Sequence, residues 1–196
     1  LEFRRVLFRS SAYLGFWSDL VVRNTTIRAP RGGDFYRAGG NALIDSMRMM
    51  YEWDISGDNG LADNYAAIRL LGTEPIQQQT HYNVWAFQDT RGDEWLQSPQ
   101  TDVEKYRRLS TTFLHQVTLT DAEKIISKAA NRSQLLSVGP FSRLNPGDSI
   151  NVAFAVICAK KPGSPDRNDD ETRKTLINNA GWAQRSEEHT SELQSP

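Results

Sequence analysis

The stretch Leu135 to Ala159, LLSVGPFSRLNPGDSINVAFAVICA, has the clearest strand, turn, strand grammar in the chain. In Ile150 to Ala159, Val152, Phe154, Val156 and Cys158 share one parity and Asn151, Ala153, Ala155 and Ile157 the other. That is a period of two, with a large-residue face and a small or polar face. Ahead of it, Asn145-Pro146-Gly147-Asp148 supplies the fixed φ of proline and the conformational freedom of glycine that a chain reversal needs. The segment after the turn is therefore expected to be a core strand of a sheet, with Cys158 a buried, inert thiol among Val156, Ile157 and Ala159.

Working outward, most of the chain repeats this grammar. Ser11 to Asn24 reads as a strand, a kink near Ser18-Asp19, and a second strand Leu20 to Arg23. Ala42 to Trp53 reads as one long strand, with Leu43, Asp45, Met47, Met49, Tyr51 and Trp53 on the buried face. Tyr65 to Leu71 and His81 to Gln88 alternate as further strands. Helices are expected at Asp102 to Leu109, from a Thr120-to-Glu123 capping box to about Ala130, and from Asp169 or Asp170 to Trp182. Short strands between turn signals, without β-α-β alternation, predict a mainly β domain: an antiparallel β-sandwich, jelly-roll or Ig-like, with two or three short helices.

The two ends read differently. Pairing Leu1 with Gln194, Glu2 with Leu193 and so on inward to Ser10 with Arg185, every pair can be written as complementary codons. The resulting DNA, AGATCGGAAGAGCACACGTCTGAACTCCAG, looks like a sequencing adapter, and folding gives no reason for such a relation. Residues 1–10 and 185–196 are therefore read as translated adapter, and Ser11 to Gln184 as a single-domain fragment of a longer reading frame. This withdraws a membrane or targeting role for the opening LEFRRVLF and removes His189 as a candidate ligand.

Composition narrows the function classes. A formal net charge of −1 argues against partners held by charge, such as nucleic acid or an anionic membrane surface. No apolar run is long enough to span a bilayer. Cys158 is the only cysteine, which excludes an internal disulfide and a cysteine-based zinc cage.

The candidate metal site is the turn Asp54-Ile55-Ser56-Gly57-Asp58-Asn59-Gly60, where oxygen-bearing side chains alternate as in a calcium loop. Asp54, Ser56 and Asp58, with Asp63 beyond them, are its candidate Ca²⁺ ligands. Asn59 stands where an EF-hand places glycine, and no glutamate closes the loop, so a plain Asp/Ser turn is the competing reading. Asp19, Asp45 and Glu52 are the acids available for glycosidase-type chemistry. His81 and His115 belong to no catalytic motif, and Arg91-Gly92-Asp93 reads as a polar turn. Among the tryptophans, Trp17, Trp53 and Trp85 lie within alternating runs and are expected in the core. Trp95 follows a turn and is the candidate ligand contact.

The segments YLGFWSDLVVRN, YEWDISGDNG, GPFSRLNPGDSINVAFA and INNAGWAQ resemble an uncharacterised β-sandwich region of large secreted proteins from Bacteroidota and similar bacteria, many of which end in a type IX secretion sorting domain. The resemblance spans most of Ser11 to Gln184 and brings no catalytic residues with it. It implies a place outside the cell or on its surface. The expected function is a non-catalytic structural or binding module of an exported protein. The alternative is an accessory substrate-binding domain of a secreted hydrolase, acting on polysaccharide or protein; polysaccharide and neighbouring domains of the same chain are the expected partners.

Overall fold

The computed structural model describes residues 9–24, 36–37, 39–55, 61–77, 79–163 and 166–194. Within them lie seven strands: β1 (Arg9–Ser18), β2 (Gly39–Ile44), β3 (Met49–Asp54), β4 (Asn64–Glu74), β5 (Thr80–Ala86), β6 (Arg132–Leu144) and β7 (Asn151–Lys160). Three α-helices accompany them: α1 (Asp102–Ser110), α2 (Leu119–Ile126) and α3 (Asp170–Gln194). The strands form two antiparallel sheets, in the orders β1-β6-β5 and β2-β3-β4-β7. The result is mixed rather than almost wholly β, because helices cover the outer face of each sheet.

The two sheets share one apolar core. Leu43, Met50, Ile68 and Leu70 of the four-stranded sheet meet Tyr82, Val84, Leu136 and Val138 of the other. On the far face of the four-stranded sheet, Met49, Tyr51, Trp53 and Tyr65 are buried beneath Leu176 and Ala180 of α3. With both faces covered, every residue of β3 is buried, including Glu52 and Asp54, which share a parity with Met50.

This arrangement revises several expectations. Ala42 to Trp53 is a hairpin, not one strand: a 3-10 turn at Asp45–Met47 ends with Arg48 at φ 49°, and β2 folds back onto β3. The reversal changes parity, so Leu43 faces the inter-sheet core while Met49, Tyr51 and Trp53 face α3. No strand forms at Leu20 to Arg23. Thr118, rather than Thr120, caps α2, its hydroxyl accepting from the Asp121 amide at 3.2 Å. The turn Asn145 to Asp148 does reverse the chain, yet β6 and β7 belong to different sheets, and β7 is an edge strand. Val152 and Phe154 pack on the inter-sheet core, Ile157 and Ala159 on the α3 side, while Val156 and Cys158 lie beyond the opposing sheet's cover. Cys158 is consequently exposed, not buried.

Capping secures the helices. Thr101 and Glu104 form a reciprocal capping box at the start of α1. Arg132, at the start of β6, donates to the carbonyls of Ile125, Ile126 and Lys128, closing the C-terminal end of α2. α3 is tied to β4 by hydrogen bonds from Arg69 to the Ala180 carbonyl and from Gln184 to the Leu71 carbonyl.

Candidate functional site

The outer face of the three-stranded sheet carries a groove of about 620 Å³. In β1, Phe16 and Trp17 are adjacent and must point to opposite faces. Phe16 takes the inner one, where its ring meets Phe154 at 5.6 Å. Trp17, opposite Leu135 in the register, is left on the outer face with 55% of its surface exposed. Trp85 of β5 and Phe87 just beyond it continue the aromatic lining. This overturns the core placement expected for Trp17, whereas Trp53 and Trp85 are buried as expected.

Helix α1 forms the opposite wall, and side chains of the sheet hold it there. Asn83 donates to the carbonyls of Arg108 and Thr111 at 2.6 and 2.5 Å, and the Ser137 hydroxyl donates to the Leu109 carbonyl at 2.8 Å. Gly15 permits the close approach: a Cβ there would stand 2.7 Å from Leu109 Cδ2 and 2.9 Å from Leu135 Cδ1. Arg108 is only 3% exposed, and its terminal nitrogens donate to the carbonyls of Glu94, Trp95 and Gln97. Its guanidinium also lies 5.8 Å from the centre of the Trp85 ring. Burial lowers its pKa to about 10, which still leaves it charged at neutral pH. The groove thus has rigid walls and an exposed indole, the arrangement that suits a flat, amphipathic ligand.

Trp95, the expected ligand contact, is not part of this surface. It is 3% exposed, packed edge-to-face on Phe113 at 5.5 Å within the inter-sheet core. The 3-10 turn Glu94–Leu96 directs it inward, which the preceding Arg91-Gly92-Asp93 turn did not reveal. That tripeptide is occupied locally, with Arg91 held by Asp89.

Of the candidate calcium ligands, Ser56 and Asp58 lie outside the described residues. Asp54 is buried at the end of β3, accepting from the Ala62 amide at 3.0 Å and facing Arg23 at 3.4 Å. Asp63 pairs with Lys160 at 3.2 Å. Both carboxylates thus already face cations of the chain, and no cluster of three metal-ligating side chains occurs among the described residues.

The three acids do not form a hydrolytic pair in a cleft. Asp45 is exposed on its turn. Glu52 is 4% exposed, with its carboxyl against the Gly39 backbone, accepting from the Val22 amide at 3.3 Å and from Asn41 Nδ2 at 3.1 Å. Burial pushes its pKa up to about 8, and the negative charge of Asp19 adds to the rise. His81 is buried against Tyr13, its pKa lowered by burial, and His115 is exposed.

A second groove, of about 570 Å³, runs beside β2 between α2 and the start of α3. Its aromatic residues, Tyr51 and Trp53, are buried, and its cations Lys124 and Arg173 pair with Asp121 and Asp170. It offers no exposed ring, so the Trp17 groove is the better candidate. Compared with protein-family models, curated proteins and solved structures, the chain gives no significant match.

Proposed function

We propose that the chain is a non-catalytic binding module of an exported or cell-surface bacterial protein, and that the Trp17 groove is where it holds its ligand. The observation carrying this reading is the exposed indole of Trp17 beside Trp85 and Phe87, on a wall fixed by Asn83, Ser137 and Arg108. A sugar ring presents an apolar C–H face to such a platform and hydroxyls to the polar rim. Facing sheets of four and three strands favour the Ig-like over the jelly-roll form of β-sandwich as scaffold. Among the described residues no helix is long and apolar enough to cross a membrane. The extracellular setting rests on the resemblance to secreted proteins. A role as accessory domain of a secreted hydrolase uses the same groove.

Titrating the protein with soluble oligosaccharides and, separately, short peptides while following tryptophan emission tests the proposal. Saturable binding to an oligosaccharide that Trp17→Ala removes is the expected result. Peptide binding at the same residue would favour a protein substrate, and silence toward both would leave a purely structural role.

A further inference from the structure

We infer that the ligand of the Trp17 groove is an acidic oligosaccharide, one whose pyranose rings carry carboxylates. The inference rests on reading the groove as the binding site. Charge complementarity distinguishes the class: the charged residues lining the groove are Lys105 and Arg108, both cationic, with no carboxylate on the lining. Lys105 stands on the solvent-facing rim, and its pairing with Asp102 at 3.3 Å is an exposed contact between neighbouring turns of α1, weak enough for a ligand carboxylate to replace. Arg108 lies deeper. Its terminal nitrogens bind carbonyls, which orient the guanidinium but do not neutralise it, and among the described residues no carboxylate forms an ion pair with it. Glu94, the nearest acid in sequence to those carbonyls, is directed to Arg107 and Gln116 instead.

The cation beside Trp85, buried and offset by Glu94 and Glu104 only from beyond ion-pair distance, gives the groove a positive field where water is partly excluded, and that field is screened less than one at the open surface. Trp17 supplies the stacking face, as it would for a neutral sugar, and the two cations supply the preference for a charged one. A neutral glycan would engage only the stacking face; a uronate ring would also bring a carboxylate to Lys105 in place of Asp102, and so fits both halves of the groove.

The test is calorimetric titration of the full chain with a galacturonate hexamer and with cellohexaose, at about 20 mM and about 300 mM salt. The expected result is tighter binding of the galacturonate, by about fivefold at low salt, the size of one exposed charge pair. Raising the salt or introducing Lys105→Ala should reduce that preference, leaving the smaller share that the buried Arg108 supplies, and Trp17→Ala should remove binding of both sugars. Equal or tighter binding of cellohexaose that still depends on Trp17 would overturn the acidic class while leaving the groove as the site. Binding of neither sugar would overturn the acidic-sugar class, and binding indifferent to Trp17→Ala would overturn the groove as the site as well.

Discussion

Replacing Glu52 with glutamine should make the protein more stable in alkali and change it little in acid. Glu52 is buried between the sheets, and its pKa rises from 4.5 in the unfolded chain to about 8 in the folded one. For an acid raised in this way, stability is fully present below the unfolded value and is lost as pH climbs through the folded one. Between these limits the native state holds a proton that the unfolded state has released. At about 1.4 kcal/mol per pH unit, the loss from pH 4.5 to 8 amounts to at most about 5 kcal/mol. The protonated form suits the site. Oε1 accepts from the Val22 amide, and a proton on Oε2 can be donated to Asn41 once its amide turns, giving a partner to an Oδ1 that otherwise has none. Glutamine reproduces both contacts and has no proton to lose.

Urea unfolding of the wild type and Glu52→Gln at intervals from pH 5 to 9 makes the comparison. His81, buried and held neutral, acts in the opposite sense, losing stability as pH falls, but it contributes equally to both proteins and drops out of the difference. The two should agree within about 1 kcal/mol at pH 5, with the variant ahead by several kcal/mol at pH 9. A difference that does not change with pH would refute the reasoning.

Other perturbations separate scaffold from surface. Trp95→Ala empties a buried indole site and should cost about 3 to 5 kcal/mol in denaturant unfolding, whereas Trp17→Ala, on the groove surface, should change stability by about 0.5 kcal/mol or less. A chain shortened to Ser11 to Gln184 should melt within about 3 °C of the full one, because Thr172, Leu176 and Ala180, the fully buried residues of α3 among those whose side chains are described, all precede the cut. A larger drop would mean that the adapter-like ends contribute to the packing. Excess Ca²⁺ should leave the melting temperature unchanged, since binding would have to displace Arg23 from Asp54; a rise abolished by Asp58→Ala would establish the calcium site.

What could be read from the sequence was local. Alternation located β4, β5 and β7, and the composition of Asp102 to Leu109 located α1, because those patterns arise from contacts within an element or with one solvent face. The hairpin of β2 and β3 was hidden because both faces of the sheet are covered: Met49 and Met50 are equally buried, so parity carried no information there. The partner of β6 was hidden because sheet membership depends on long-range pairing, and a turn as plain as Asn145 to Asp148 does not say whether its strands bond to one another. For the groove, one clue was present. Phe16 and Trp17 are successive residues of a strand and cannot share a face, so only one of the two could join the inter-sheet core; whether the other face was covered, alternation does not say. No comparable clue existed for Arg108, whose role depends on carbonyls ordered by the fold.

The pairing of β1 with β6 also governs how the molecule can be made. The three-stranded sheet joins the beginning of the described chain to residues more than a hundred positions later, and the four-stranded sheet, among the described residues, gains its outer cover from α3. On a ribosome, β2, β3 and β4 can pair as soon as they emerge, but β1 must wait unpaired until β6 is synthesised. Until α3 follows, Met49, Tyr51, Trp53 and Tyr65 remain open to solvent. Such late closure implies slow folding and a nascent chain that depends on being shielded from its neighbours.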